Sequence, residues 1–504
     1  VANKIAIRLQ QLIDAKQERT IANRSGGSYP INERYAVPDG DRMIYVKGNP
    51  NLADVNVILM GLRNPKKRSL ADHDDMLPKS AEVWVNELRL GDFDESSGWA
   101  ARGNLTVNLA DLGDVAAAAC IKTAGFGPLE STTYGRQDET TTALSFATNL
   151  EMGKLLPSKW NVSIPLHYDY SRNAATPEYN TLNPDVKLKE DLKTYATREE
   201  RDSIKAQNVD LVTRHNFNIV NLRKNRGEGK DKSHLWDIEN FYATYAYTQE
   251  KRRDEDYEYD DLHTHKGVLG YAYSANPKNY KPFENLSKKK ALKLITDFNF
   301  YLLPKSFSFN TEMYRTYNES KLRNRSAGII ITDPMFTKNI EWSRDYDLSW
   351  DLTQSLKMTF SAEAEAVVDE PQGRIDTREK KDSIWRNVAT LGRMNLYNQH
   401  FNVTYQLPIN KLPGLSWITS SVRYGSKYGW TASAPAVCYI GNEVENSNSK
   451  QFSLTANFTS LYNKSKYLQK VNRGTFGSSL HDKPILKSRQ EALNMRTKND
   501  SLKT

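Results

Sequence analysis

The chain has 504 residues, 70 Lys and Arg against 61 Asp and Glu, a net charge of +9 and a pI near 9.1. Mean hydropathy is -0.69, and no window reaches about 18 consecutive apolar residues, which excludes a helical membrane span. It does not exclude a β-barrel, whose strands alternate and keep the mean hydropathy low. The length allows about three soluble domains or one large β-architecture. Tyr (27), Phe (16) and Trp (9) are abundant, and Tyr and Trp suit places where one end of the ring is apolar and the other wet. Cys120 and Cys438 are too far apart in sequence to suggest a disulfide framework or a CxxC metal site. The chain opens Val1-Ala2-Asn3, without an initiator Met or a signal peptide, and reads as a mature or partial sequence.

The first 25 residues predict a helix: Ile5, Leu9, Leu12 and Ile13 recur at helical spacing, and Gly26-Gly27 ends the pattern. Strands are expected over 43–46, 55–62 and 82–90, so residues 1–100 read as a small α+β region, lumenal or periplasmic. From 101 to 463 almost every run alternates. Trp160, Val162, Ile164, Leu166, Tyr168 and Tyr170 fall on one side, and Asn161, Ser163, His167 and Asp169 on the other. Phe241, Tyr245 and Tyr247 repeat the pattern, as do Phe307 and Phe309, then Phe401, Val403 and Tyr405. A further run is expected over 293–302. Several runs exceed the usual strand length of about five or six residues. Residues 464–504 are Lys-rich and lose the alternation, which suggests a basic extension or a truncated loop.

Short Leu-Pro turns join the long runs, at Pro157, at Pro304, and at Pro408 and Pro413. Proline fits there because a turn needs no ladder N–H. Long polar segments separate these hairpins at 171–212, 250–263 and 369–396, the first with a short helix expected over 197–204. Short turns at one end and long polar loops at the other mark a transmembrane barrel. The fold class is therefore mainly β: a segment of a very large transmembrane β-barrel with long antiparallel hairpins, preceded by the α+β region. The named aromatic and aliphatic residues become its membrane-facing or girdle positions.

Other chemistry is thin. His263-Thr264-His265 offers two imidazoles beside Asp260 and Asp261, yet it reads better as a solvated loop than as a metal site. The acidic run 254–261 lacks EF-hand order and its Gly. Neither Gly26-Gly27 nor Gly125-Phe126-Gly127 carries a phosphate-loop Lys-Ser/Thr, and there is no Gly-x-Ser-x-Gly. Lys288-Lys289-Lys290 lacks the interleaved aromatics of a nucleic-acid surface. No catalytic, metal or cofactor residue is expected, and the chain reads as a non-enzyme. Many outer-membrane barrels are acidic, whereas this chain is +9. Either a lumen or loop lined with Lys and Arg or an incomplete segment would account for that.

Several stretches carry a resemblance. They are 42–52, 60–65, Ala81-Glu82-Val83-Trp84-Val85-Asn86-Glu87-Leu88-Arg89-Leu90-Gly91-Asp92-Phe93-Asp94, Thr123-Ala124-Gly125-Phe126-Gly127, 407–413 and Arg423-Tyr424-Gly425-Ser426-Lys427-Tyr428-Gly429-Trp430-Thr431-Ala432. Together they resemble the SprA/Sov family, the outer-membrane translocons of the type IX secretion system of Bacteroidetes, whose members are several times longer. The resemblance implies an internal segment of a protein-conducting outer-membrane channel. Such a channel exports folded cargo, gliding adhesins and surface enzymes, through a pore with a lateral gate and a plug. Implied partners are a PorV-like small outer-membrane barrel, a plug protein and cargo with a C-terminal signal. Lipid or lipopolysaccharide surrounds it, and nucleic acid has no part. Energy would come from a proton-driven inner-membrane motor, in keeping with the missing phosphate loop. The competing readings are an outer-membrane receptor barrel, a surface carbohydrate-binding β-protein, and a soluble all-β enzyme.

Overall fold

The structure, a computed structural model, describes residues 6–472 except 41, 53, 62–76, 86, 92–95, 133–134, 228–233, 285–292, 325–331 and 413. The expected basic extension falls almost wholly outside the described residues, as does Pro413.

One large antiparallel sheet dominates. Thirteen long strands form its path: β1 (Ala100–Asn108), β2 (Gly113–Lys122), β3 (Glu139–Glu151), β4 (Pro165–Pro177), β5 (Asp210–Lys224), β6 (Phe241–Arg253), β7 (Tyr257–Ser274), β8 (Ser306–Leu322), β9 (Met335–Asp351), β10 (Leu356–Val367), β11 (Arg393–Leu407), β12 (Ile418–Thr431) and β13 (Glu443–Ala456). Each pairs with its neighbours in sequence, an uninterrupted meander. Because the strands alternate in direction along this path, β1 and β13 run the same way. They do not pair with each other, and every residue of both is exposed. Their shared direction means that these two edges could meet only as a parallel pair.

The strands are long. β7 has 18 residues and β8 and β9 have 17 each, about 55–60 Å at roughly 3.4 Å per residue. Their connections gather at two ends. The turn end carries 109–112, 152–164, 225–240, 275–305, 352–355 and 408–417. The insert end carries 123–138, 178–209, 254–256, 323–334, 368–392 and 432–442.

Connection length is only partly sorted between the ends. The stretch 250–263, expected as a long loop, is instead the end of β6, a tight turn and the start of β7. Asp254 makes that turn: its Oδ1 accepts from the N–H of Asp256 (2.8 Å) and of Tyr257 (2.7 Å). A short Asp side chain can close its own turn in this way, so the acidic run needs no loop.

The prolines also depart from simple hairpin turns. Pro157 precedes a 3-10 turn at Ser158–Trp160, and Pro408 opens another at Pro408–Lys411. Pro304 follows only the two-residue strand Phe300–Tyr301. The expected run over 293–302 contains the helical turn Lys293–Thr296 instead.

At the insert end, 178–209 folds into a hairpin (Tyr179–Asn180 with Asn183–Lys187) and two helices, α2 (Leu188–Lys193) and α3 (Arg198–Asn208). Thr197 and Glu200 form the reciprocal capping box that starts α3. The N-terminal helix, α1 (Leu9–Arg24), docks on this insert through polar groups. Lys16 Nζ meets Asp185 Oδ1 at 3.0 Å with both side chains almost fully buried. Arg24 donates to Tyr195 Oη at 2.8 Å and stacks over its ring at 3.9 Å. Burial beside Asp191 pushes the Tyr195 hydroxyl above its usual range.

The expected apolar stripe does not drive this docking. Leu9 is exposed, and Ala15, Lys16 and Arg19 are the buried positions. The expected strand over 43–46 is present as Arg42–Val46, paired with Tyr35–Asp39. The other two are absent among the described residues: 55–61 and 87–90 form no ladder, and Leu59 is 90% and Trp84 85% exposed. Alternation alone gives no strand without an edge to pair with.

Candidate functional site

Cross-strand partners in an antiparallel ladder share a face, so the register decides which side chains stand together. Leu166, Tyr168 and Tyr170 on β4 oppose Ile219, Phe217 and His215 on β5. Phe217 and Ile219 oppose Tyr247 and Tyr245 on β6, and Phe241 opposes Tyr271 on β7. Tyr271 opposes Phe309 and Tyr273 opposes Phe307 on β8. The same face continues through Tyr346 and Leu348 of β9 and Ala362 and Phe360 of β10. It reaches Phe401, Val403 and Tyr405 on β11.

Four separate sequence runs thus converge on one face of one sheet. Trp160, Val162 and Ile164 do not extend the β4 run. Trp160 sits on the 3-10 turn and is 56% exposed, Asn161 turns left-handed at φ 49°, and Val162–Ser163 pairs with the far end of β5.

The opposite face is polar, and its side chains bond across the strands. His167 contacts Asn149 Oδ1 at 2.6 Å and Asp169 Oδ1 at 3.0 Å. Asn216 donates to Asp169 Oδ1 at 2.9 Å, and Thr248 donates to Asn216 Oδ1 at 3.0 Å. This ladder runs from β3 to β6. Arg214 pairs with Glu250 on the same face, and Lys266 with Glu312 at 2.6 Å. Beyond it lie Asp345, Asp347 and Glu363 on β9 and β10, then Arg423 and Lys427 on β12. Such a surface holds water and offers little apolar area to an unrelated chain.

The apolar face changes character along its strands. Toward the turn end it is mostly aromatic and aliphatic: Phe307, Phe309 and Met313 on β8, Leu269 and Tyr271 on β7, with Arg344 of β9, opposite Thr311, marking where charge begins on that strand. Toward the insert end it is charged or imidazole-bearing: Arg315 and Glu319 on β8, His263 and Asp261 on β7, Lys338 on β9. The strap 368–376 is tied to this charged half. Arg315 Nη2 donates to Glu370 Oε1 at 2.7 Å, Lys338 Nζ to the Pro371 carbonyl at 2.7 Å, and Arg374 pairs with Glu319. Tyr259 and Tyr317 each donate to Glu319 at 3.0 Å. The strap leads into α4 (Arg378–Ala389), started by a Thr377 cap. These latch residues were not expected from sequence. The signal was there, since Arg315, Glu319 and Lys321 break the apolar alternation of β8.

His263-Thr264-His265 lies within β7. His263 is held by Tyr247 Oη (3.0 Å) and Asp261 (3.2 Å), and His265 by Tyr245 Oη (3.0 Å). Among the described residues no group of three His, Cys, Asp or Glu converges on a metal position. Cys120 on β2 and Cys438 in the 432–442 connection are both free thiols.

A two-faced antiparallel β-wall is the class of protein this geometry defines. A family model, SprA_N, described as motility related/secretion protein, matches residues 1–192. Over that N-terminal part the chain is SprA-related, and the protein is a motility- or secretion-related one. No curated protein matches the chain. No helix among the described residues is long and apolar enough to cross a membrane, which leaves crossing by strands open.

Proposed function

We propose that the long strands are part of the wall of a protein-conducting channel in the bacterial outer membrane, exporting folded cargo in type IX secretion. The observation that carries this reading is the segregation of faces from β4 to β11: one side aromatic and aliphatic in its turn-end half, the other polar and hydrogen-bonded across the strands. In hydrocarbon every backbone N–H and C=O needs a partner, and a ladder of paired strands meets that need. A pore wide enough for folded cargo cannot be filled by side chains, so its inner face has to be polar.

Leu166, Tyr168, Tyr170, Phe241, Tyr245, Tyr247, Phe307, Phe309, Phe401, Val403 and Tyr405 then face lipid or its interface. A wide pore leaks ions, so a plug and a lateral gate belong to the same proposal, as do a PorV-like small barrel and cargo with a C-terminal signal. The chain is proposed to act without catalysis of its own.

Depletion of the protein in living cells tests this. Cargo with C-terminal signals should accumulate in the periplasm while outer-membrane assembly continues. Unchanged secretion would overturn the channel and favour a receptor barrel.

A further inference from the structure

The strands are longer than a bilayer needs, and the apolar face fills only part of them. On β8 the apolar stretch runs from Phe307 to Met313, after which Arg315, Glu319 and Lys321 follow on the same face. On β6 it runs from Phe241 to Tyr247 and gives way to Gln249 and Lys251. From the turn end to that boundary is about eight residues, roughly 27 Å along the strand and roughly 20 Å along the membrane normal at a tilt of about 40°. That nearly matches the apolar band of roughly 25 Å that barrels of this kind present. On β6 to β8 the remaining half carries formal charges, on β9 the charges begin already at Arg344, opposite Thr311, and a strap held by carboxylates and cations lies over this part. Charged groups on a lipid-facing surface are costly at membrane depth.

We infer that along β6 to β9 lipid acyl chains contact only the half of the wall next to the turn end, and that the other half stands out of the membrane as a rim faced by water. The strap 368–376 braces the outer side of that rim. This inference rests on the proposed membrane wall and adds its position. Three further features agree. Exposed Leu155 and Trp160 at the turn end, with Lys159 beside them, suit an interface. Glu370, with 2% of its side chain exposed, is covered by the strap's own packing on Arg315. The strap residues Gln372 and Arg374 are exposed, as they should be in water.

Single cysteines in the full-length protein, in native outer membranes, test the inference. Cys120 and Cys438 are first replaced by Ser. A charged, membrane-impermeant maleimide is applied to Phe309→Cys, Lys251→Cys, Lys321→Cys and Gln372→Cys, with polar-face Asn310→Cys as a control. Labelling at Lys251, Lys321 and Gln372 should be at least roughly tenfold faster than at Phe309, because hydrocarbon excludes the charged reagent. Quenching of a fluorophore at Phe309, and not at Gln372, by brominated acyl chains gives a second readout that does not depend on thiol reactivity. Protection along the whole strand to Lys321, and at Gln372, would overturn the offset and leave the membrane wall standing. Fast labelling at Phe309, with no bromine quenching anywhere, would overturn the membrane wall itself.

Discussion

Arg315 on β8 donates both Nε (3.0 Å) and Nη2 (2.7 Å) to one carboxylate oxygen of Glu370, 55 residues further along the chain. Glu370 is the more buried partner, with 2% of its side chain exposed against 30% for Arg315. The pair fastens the connection between β10 and β11 across the outer side of β8 and β9. The strap is held as well by the Lys338 contacts with the Pro371 and Gly373 carbonyls, the Arg374–Glu319 pair, the Arg393–Asp369 pair and the Val368 N–H donating to the Ile340 carbonyl.

Arg315→Met is therefore expected to loosen the strap by about 2 kcal/mol, because it leaves a buried carboxylate without its cation. Glu370→Gln should cost less, about 1 kcal/mol, since the amide oxygen still accepts from the guanidinium. Hydrogen exchange across 368–392 reads both effects, and β1 to β4 should show no change in either variant.

The Lys16–Asp185 pair anchors the N-terminal helix to the insert between β4 and β5. Its side chains are only 6% and 3% exposed. Lys16→Met alone is expected to cost roughly 3 kcal/mol by leaving Asp185 charged and buried. The double variant Lys16→Met with Asp185→Leu should recover much of that loss, because an apolar pair no longer pays for desolvation. Protease release of the helix Leu9–Arg24 measures both. Equal sensitivity of the single and double variants would show that the ion pair is not the anchor.

Asp254 closes the β6–β7 turn with two backbone N–H groups. Asp254→Ala should destabilise the hairpin by about 1–2 kcal/mol, and Asp254→Asn by less, because its amide oxygen still accepts. Exchange at the Tyr257 amide reports the difference.

Much of the fold is legible in sequence for physical reasons. A period of two survives any tertiary context that keeps one face apolar, so the runs around Tyr168, Phe309 and Phe401 predict strands and a shared face. The capping box at Thr197 and Glu200 is local chemistry and needs no context. What escapes the sequence depends on distant partners. Lys16 becomes buried only because Asp185 waits for it, and 55–61 stays unpaired because no edge meets it among the described residues. The acidic run at 254–261 looks like a solvated loop until Asp254 is seen closing its own turn. On the polar face, Asp169 appears in sequence as one residue of an alternating run. Its role as the joint acceptor for His167 and Asn216 depends on the register of β4 against β5.

That joint acceptor gives a further expectation. Asp169→Ala leaves donors on β4 and β5 without an acceptor, costing about 1–2 kcal/mol of local stability. Asp169→Asn keeps one acceptor and should be milder. Hydrogen exchange along β4 and β5 distinguishes the two.

In the proposed channel, cargo passes along the polar face. Photo-crosslinking amino acids placed at Asn216 and Asn310 on that face, and at Phe217 and Phe309 on the other, test it in cells holding a stalled cargo. Adducts to cargo from Asn216 and Asn310, with only lipid or neighbouring-barrel adducts from Phe217 and Phe309, are the predicted result. Cargo adducts from both faces alike, or from neither, would contradict it.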